Sequence, residues 1–377
     1  MKQIQMVDLQ SQYQNIKPEI DAVIQNVLNS AGFINGIEVK SFQKKLENYL
    51  NVKHVIPCGN GTDALQIAMM ALGLKEGDEV ITVDFTFAAT VEVIGLLGLT
   101  PVLVDVDPRT FNIDIEALEK AITPRTKAIV PVHLFGQAAN MEALLEIAKQ
   151  HNLFVIEDTA QALGADYLWS SGKTQKLGTL GTVGTTSFFP SKNLGAYGDG
   201  GAIFTNDDTL AVRLRSIVNH GMSKPYHYDR IGVNSRLDSM QAAILEVKLP
   251  HLDSYANARQ RVADYYDQAF ASCKYLTTPK RSKFTTHVFH QYTLLVSGGF
   301  RDDLHVFLKK HNIPNAIYYP VPLHQQEAYK HFRFDPKLLQ NTVSLCNTVL
   351  SLPIHTEMTD EQLESITGKL LQFFKQK

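Results

Sequence analysis

The sequence predicts an α/β protein, a mostly parallel β-sheet between two layers of helices, followed by a smaller α+β unit. Between about residues 54 and 219, short runs of β-branched and aromatic residues alternate with helical stretches. This alternation is typical of βαβ units and of a sheet covered on both faces. After about residue 250 the pattern weakens. We therefore predict a large domain over 1–250, which begins with a helical segment over 1–30, and a small domain over 251–377.

The individual elements follow from apolar spacing. Ile16, Ile20, Ile24 and Val27 recur at three- and four-residue intervals, which predicts a helix over 12–30, and a similar pattern predicts another over 37–50. Apolar runs then predict the strands of the sheet, at His54–Pro57, Val80–Val83, Pro101–Val104, Lys127–Val132, Leu153–Ile156, Thr185–Phe189 and Ala202–Thr205. Helices are predicted after Ala88, from about Asn140, and over 207–219, 236–249, 252–272, 301–311, 336–347 and from Thr359. Two further strands are predicted at Gln291–Val296 and near Asn315–Tyr319.

Charge and cysteine content exclude several classes of protein. The chain of 377 residues carries 36 Lys and Arg against 38 Asp and Glu, so it is not expected to bind nucleic acid or membranes by bulk charge. It has no run of 18 apolar residues, and its first 20 residues lack the apolar core of a secretory signal. Three widely spaced cysteines do not suggest a disulfide framework or a cysteine zinc site. We expect a cytoplasmic protein without a metal.

A first glycine-rich loop, CGNGTDAL, follows a short apolar run and opens a helix. Gly61 and Thr62 stand where backbone N–H groups and a hydroxyl could hold an anion at the start of that helix. Three interpretations remain open: an ordinary turn, a dinucleotide loop with Asp84 as the ribose-binding acid, or a site for one phosphate monoester. Asp63 opposes the dinucleotide interpretation, because its carboxylate would face a pyrophosphate.

A second segment, SFFPSKNLGAYGDGG, joins the end of a predicted strand to a glycine-rich turn. Lys192 lies just beyond this strand, at the edge of the sheet where α/β proteins place their ligands. A lysine in a partly desolvated pocket loses its proton readily and attacks carbonyl groups. The alternative is a solvated surface lysine.

A third segment, LFVIED, is an apolar strand that ends in two carboxylates. Because side chains alternate between the faces of a strand, Glu157 and Asp158 cannot both point into one site. Pyridoxal phosphate needs an anion at its ring nitrogen, a lysine for its aldehyde and a phosphate cup at a helix end. Asp158, Lys192 and the Gly61–Thr62 pair could supply one each. The alternative for Asp158 is a helix N-cap.

Together with four further blocks (DFTFAAT, PVLVDVDPRTFNID, PVHLFGQ and GVNSRLDSMQAAIL), these three segments resemble the DegT family of pyridoxal-phosphate-dependent nucleotide-sugar aminotransferases, of aminotransferase fold type I. The resemblance extends over nearly the whole chain. It implies that the large domain binds the cofactor with a seven-stranded sheet. It also implies a homodimer with shared active sites.

The resemblance also implies roles for individual residues. Lys192 and Asp158 correspond to the catalytic lysine and the carboxylate at the ring nitrogen. The positions that correspond to cofactor contacts are Gly61, Thr62, Asp63, Phe87, Asp158, Gln161, Ser187, Lys192 and, from the neighbouring subunit, Asn234. The positions that border the substrate are Arg236, Tyr318, Tyr319 and His324. Arg236 could instead form an ion pair with Asp238, and the tyrosines could be simple aromatic packing.

The implied reaction moves an amino group from L-glutamate to a keto-sugar nucleotide, with pyridoxamine phosphate as the intermediate form of the cofactor. The blocks are most similar to enzymes that aminate C3 of a UDP-linked 2-acetamido hexuronic acid for surface polysaccharide or lipopolysaccharide synthesis. Tyr318 stands where those enzymes carry histidine, which keeps a dTDP-linked 3-keto-6-deoxy sugar open. A 4-keto sugar nucleotide as the acceptor, an NAD-dependent oxidoreductase and a regulatory protein without activity also stay open. Lys192 argues against the branch that carries histidine there and dehydrates sugars.

Overall fold

The computed structural model describes residues 2–332 and 334–377. Its strands are β1 (His54–Cys58), β2 (Glu79–Val83), β3 (Thr100–Val104), β4 (Thr126–Val130), β5 (Phe154–Asp158), β6 (Asp166–Leu168), β7 (Thr174–Lys176), β8 (Val183–Ser187), β9 (Gly201–Thr205), β10 (Met222–Lys224), β11 (His227–Tyr228), β12 (Leu276–Thr277), β13 (Tyr292–Val296) and β14 (Val349–Leu352). Its α-helices are α1 (Leu9–Asn15), α2 (Lys17–Ser30), α3 (Ile37–Leu50), α4 (Gly61–Leu72), α5 (Ala89–Leu96), α6 (Ile115–Ala121), α7 (Met141–Gln150), α8 (Asp208–Ile217), α9 (Ser239–Lys248), α10 (Leu252–Phe270), α11 (Arg301–Lys310), α12 (Gln340–Thr348) and α13 (Asp360–Phe374).

A seven-stranded sheet forms the centre of the fold, with the order β1-β9-β8-β5-β4-β2-β3. Its strands are parallel except β9, which runs antiparallel to both of its neighbours, β1 and β8. This confirms the predicted α/β class with a mostly parallel, seven-stranded sheet. The carboxyl ends of β2, β5 and β8 therefore lie along the same edge, and Asp158 of β5 is level with Thr185 of β8.

Helices cover both faces of this sheet because alternate side chains of each strand enter different cores. Ile81 and Ile129 pack in one core with residues of α7. Val80 and Val130 pack in another core with residues of α4, α5 and α8. Strands buried on both faces need continuous apolar runs, and the sequence has them at these positions.

The last part of the chain contains a second, three-stranded antiparallel sheet with the order β12-β13-β14. Its core is formed mainly with residues of α10, α11 and α13. The large and small parts meet where a short 3₁₀ turn (Leu249–His251) joins α9 to α10. The predicted domain boundary at residue 250 remains a prediction.

Several predicted elements differ from the structure, most of them only at their ends. The helix predicted over 12–30 is two helices, α1 and α2, which meet at Ile16. The strand predicted at Thr185–Phe189 is wrong by two residues at each end, because β8 stops at Ser187 and leaves the next residues free for the turn that carries Lys192. The strand predicted near Asn315–Tyr319 is wrong. β14 takes the position beside β13, and only an isolated bridge joins Ala316 to Ser351.

Among the described residues, no helix combines the length and the apolar character that crossing a bilayer requires.

Candidate active site

The first glycine-rich loop meets the end of β8. Asn60 caps α4, and its side-chain oxygen accepts a hydrogen bond of 2.8 Å from the N–H of Asp63. A Cβ atom added to Gly61 would lie 2.7 Å from the Cβ of Ser187, so only glycine fits there. The structure thus brings Gly61, Thr62 and Ser187 together at the N-terminus of a helix, the arrangement that binds phosphate groups.

Asp63 has a different partner. Its carboxylate accepts a hydrogen bond of 2.6 Å from the hydroxyl of Ser235. That hydroxyl accepts a bond of 2.8 Å from the N–H of Gly59. The side chain of Asp63 is therefore joined to the segment that follows Asn234, while Gly61 and Ser187 form the neighbouring cup.

The same geometry excludes the dinucleotide interpretation of this loop. In a dinucleotide fold the loop follows a strand of a parallel βαβ unit. Here β1 lies at the edge of the sheet and pairs only with β9, in antiparallel fashion. Asp84, the candidate ribose-binding acid, is also occupied. One carboxylate oxygen accepts the backbone N–H of His324 at 2.8 Å, and the other lies 2.6 Å from Nδ1 of the His324 ring.

Asp158 lies at the carboxyl end of β5 and is buried. Its two oxygens accept hydrogen bonds of 3.1 Å from the N–H of Ala160 and from the hydroxyl of Thr90. Burial raises the pKa of Asp158, and these two bonds together with the charge of Lys192 oppose that increase. The contact with Ala160 resembles the alternative capping role, but no helix begins there.

Glu157 points to the opposite side of the strand, as the alternation of side chains predicts. Its carboxylate is fully buried and accepts bonds from the N–H groups of Gly178, Leu180 and Gly181 at 2.9, 2.6 and 2.7 Å. Nε2 of His133 lies 3.0 Å away, and Nδ1 of that ring already accepts a bond from the N–H of Ala139. Glu157 therefore supports the fold, and Asp158 alone faces the site.

Lys192 lies in the turn after β8, where its N–H donates to the carbonyl of Phe189 at 2.8 Å. Burial lowers the pKa of Lys192 to about 8, and the nearby charge of Asp158 opposes the decrease. A lysine in this environment is a nucleophile near neutral pH, unlike an ordinary surface lysine.

Gln161 and Tyr319 meet across the site although they lie far apart in the chain. Oε1 of Gln161 accepts a bond of 2.8 Å from the N–H of Phe135, which fixes the orientation of the amide. Its Nε2 then donates to the hydroxyl of Tyr319 at 3.2 Å. The ring of Tyr319 also packs edge-on against Phe85. This tyrosine is thus more than a packing residue, whereas Tyr318 is half-buried beside it.

Several predicted site groups form no side-chain hydrogen bond and no close ion pair within the described residues. They are the hydroxyl of Thr62, the amine of Lys192, the amide of Asn234 and the guanidinium of Arg236. In particular, residues 2–332 contain no ion pair between Arg236 and Asp238, so that alternative is wrong.

The ring of Phe87 is 59% exposed, and Asn234 is exposed as well. These two groups are available to a ligand or to another subunit.

Sequence reasoning missed two features of the site. Thr90, which bonds Asp158, lies inside the DFTFAAT block one turn beyond Phe87, and that block was its only signal. The contact between Asp84 and His324 joins residues 240 positions apart, so no local sequence pattern could predict it.

Comparison with known proteins shows which family the chain belongs to. A sequence model of the DegT/DnrJ/EryC1/StrS aminotransferase family matches residues 14–371. The chain belongs to this family. It is an aminotransferase, as the resemblance of its motifs implied.

Three curated relatives align over nearly their whole length. The chain is 47% identical to a "Pleiotropic regulatory protein" of Geobacillus stearothermophilus, with 99% of each chain covered. It is 45% identical to the UDP-2-acetamido-2-deoxy-3-oxo-D-glucuronate aminotransferase of Pseudomonas aeruginosa, over 97% of this chain and 99% of the relative. It is 42% identical to a UDP-N-acetyl-3-dehydro-alpha-D-glucosamine 3-aminotransferase of Acidithiobacillus ferrooxidans, over 96% of each chain.

A solved structure shares the fold of this aminotransferase. The crystal structure of S. venezuelae DesV, in complex with a ketimine intermediate, superposes with a TM-score of 0.94. The two chains are 37% identical, and 99% of each is covered.

Proposed function

We propose that this aminotransferase uses pyridoxal phosphate bound to Lys192 to move an amino group from L-glutamate to a keto-sugar nucleotide at C3. The observation that carries the proposal is the juxtaposition of three parts of the chain. They are the buried carboxylate of Asp158, a lysine whose pKa is lowered to about 8, and the close-packed cup of Gly61 and Ser187. These are the three features that the cofactor requires.

The residues of the site match the chemical groups of the cofactor one by one. The N-terminus of α4, with Gly61, Thr62 and Ser187, would hold the phosphate. Phe87, exposed in the single chain, would stack on the ring. Gln161 would approach the phenolic oxygen, supported by Tyr319. Asp158 would contact the ring nitrogen.

Bound pyridoxal phosphate supplies an aldehyde for amino groups and a cationic ring that accepts electron density from the α-carbon of an amino acid. The chain contributes the proton transfers. Nζ of Lys192, uncharged in a substantial fraction near pH 8, would take the proton from the α-carbon of glutamate and deliver it to the cofactor, and would then move a proton from the cofactor to C3 of the sugar. Asp158 would keep the ring nitrogen protonated, since a buried carboxylate stabilises an adjacent cation.

The names of two relatives support a 3-oxo UDP-linked 2-acetamido sugar as the acceptor, and they differ in whether C6 is a carboxylate. Arg236 has no protein anion to pair with among the described residues and is available to a sugar carboxylate or a diphosphate. Tyr318, Tyr319 and His324 would border the sugar. The dTDP-linked 3-keto-6-deoxy sugar is the alternative acceptor. With the UDP-linked acceptor, the product would serve surface polysaccharide or lipopolysaccharide synthesis.

We also propose that the enzyme is a cytoplasmic homodimer with shared active sites. Phe33, Ile34 and Ile37 are 48%, 50% and 80% exposed, which suits burial against a second copy. Asn234 is exposed and would reach the phosphate in the partner's site. The cytoplasmic location is proposed because three widely spaced cysteines do not suggest a disulfide framework.

A panel of keto-sugar nucleotides, incubated with ¹⁵N-glutamate and analysed by mass spectrometry, tests the proposal. We expect ¹⁵N transfer to a 3-keto acceptor, loss of transfer in Lys192→Ala, and no change in the matched variant Lys173→Ala, at an exposed site. Transfer only to a 4-keto acceptor would contradict the C3 assignment. A protein that transfers nitrogen to no acceptor would favour a regulatory role, the role named for one relative.

A further inference from the structure

Ser235 connects two parts of the proposed site that different subunits use. Its hydroxyl accepts the N–H of Gly59 at 2.8 Å and donates to the carboxylate of Asp63 at 2.6 Å. Gly59 and Asp63 flank the cup-forming Gly61, and Asp63 lies in the first turn of α4. The side chain of Ser235 is thus fully engaged with the phosphate-binding loop of its own chain.

The neighbours of Ser235 belong to the segment that would serve the other subunit. Asn234, on one side, is exposed, and Arg236, on the other, is half-buried and unpaired within the described residues. The backbone here is also held, because the N–H of Ser235 donates to the carbonyl of Val218 at 3.0 Å. Ser235 itself is only 3% exposed and is closely packed. If its hydroxyl loses its partners and the residue moves, Asn234 and Arg236 on either side must therefore move with it.

We infer that Ser235 and Asp63 are positioning residues that couple the phosphate cup of one subunit to the Asn234–Arg236 segment which that subunit supplies to its partner. The inference rests on the shared active site of the proposed function. Loss of the Ser235 hydroxyl damages two sites. The cup in the same chain loses an acceptor for Gly59 and a donor for Asp63, and the partner's site loses a correctly placed Asn234.

Mixed dimers separate these two effects. One subunit keeps Lys192, and the other carries Lys192→Ala, so only one chain can be covalently labelled by pyridoxal phosphate and borohydride. The concentration of pyridoxal phosphate that gives half-maximal labelling is then read from the mass of the intact chains. This readout needs no sugar substrate. We expect Ser235→Ala in the Lys192→Ala subunit to raise that concentration roughly tenfold, the usual effect of losing one hydrogen bond to a charged group.

Ser216→Ala in the same subunit is the matched control. Ser216 is a buried serine whose hydroxyl has no partner within the described residues, so its loss leaves labelling unchanged. Asp63→Ala in the Lys192→Ala subunit is a second test, should Ser235→Ala fold poorly, and we expect a shift in the same direction. An unchanged half-maximal concentration in both variants, or a change only when the variant is in the labelled subunit, would overturn the coupling.

The proposed function fails in a different way. A protein that remains monomeric by light scattering, or in which Lys192 takes up no label in the wild type, contradicts the shared cofactor site and this inference with it. If the wild-type dimer is labelled normally and Ser235→Ala in the Lys192→Ala subunit leaves labelling of the other subunit unchanged, only the inference is contradicted.

Discussion

Two adjacent carboxylates at the end of β5 have opposite environments. Glu157 meets only hydrogen-bond donors, the three backbone N–H groups and His133. Asp158 meets one N–H and one hydroxyl. The alternation of a strand made it predictable that only one of them faces the site. Which partners each would find depends on segments distant in sequence and was not predictable.

We predict that Glu157→Gln destabilises the protein by about 3 kcal/mol, because the new amide N–H groups would face donors and find no acceptor. Chemical denaturation measures this loss. A stability equal to that of the wild type would contradict the assigned hydrogen bonds.

Asp158→Asn is the matched substitution one residue on. An asparagine oxygen can accept from Ala160 while its amide donates to the hydroxyl of Thr90, and a buried charge is removed. We expect stability to be kept within about 1 kcal/mol, while amine transfer falls at least about a hundredfold because the ring nitrogen loses its anion. Rapid amine transfer by this variant is the contrary result.

The pKa of Lys192 sets a pH dependence. Only the uncharged amine attacks an aldehyde, and burial lowers the pKa of Lys192 to about 8 in the protein without cofactor. The rate of cofactor uptake should therefore rise with pH around a midpoint of about 8. Because the negative charge of Asp158 raises this pKa, Asp158→Asn should move the midpoint to lower pH. Stopped-flow absorbance over a pH series measures both, and a shift to higher pH contradicts the arrangement.

At the scale of elements, the loop before α4 and the end of β8 form one close-packed unit. The sequence made the loop and its helix predictable, since glycines, an Asn cap and an apolar helix follow one another locally. The contact between Gly61 and Ser187 joins residues 126 positions apart in the chain and needed the sheet order. The strand predicted near Asn315–Tyr319 is wrong for a similar reason. The position beside β13 is occupied by β14, which is distant in sequence from β13.

Gly61→Ala tests this unit. The added Cβ overlaps Ser187, so we expect cofactor affinity to fall at least about tenfold as the cup opens. Gly368→Ala is the control, because a Cβ there meets nothing within 4 Å and the residue lies inside α13. That variant should be more stable by about 0.5–1 kcal/mol. Equal cofactor affinity in both variants would contradict the proposed cup.

At the scale of the whole molecule, residues from both parts of the chain converge above one edge of the large sheet. Asp84 holds His324, and Gln161 holds Tyr319, which fastens the segment after residue 315 over the site. The resemblance to the motifs of the family was enough to predict that this segment borders the substrate. The pairings themselves could not be predicted, because they depend on how the chain returns to the sheet.

A shared site predicts complementation between two variants that are inactive at a limiting concentration of cofactor. Lys192→Ala lacks the lysine, and Asn234→Ala lacks the residue proposed to reach the partner's cofactor. After random reassociation, mixed dimers carry one intact site, so the mixture should regain about a quarter of wild-type activity. No recovery, with mixed dimers verified by mass, would show that Asn234 acts within its own chain.

Lys192 is the residue proposed to carry the cofactor of this aminotransferase. Reduction of the protein with borohydride in the presence of pyridoxal phosphate, followed by peptide mass mapping, measures whether this lysine binds the cofactor. We predict one label per chain, located on Lys192, which disappears when glutamate is added before the reductant because the amino group has then passed to the cofactor. Label on another lysine, no label, or a label that glutamate leaves unchanged would show that Lys192 does not have this role.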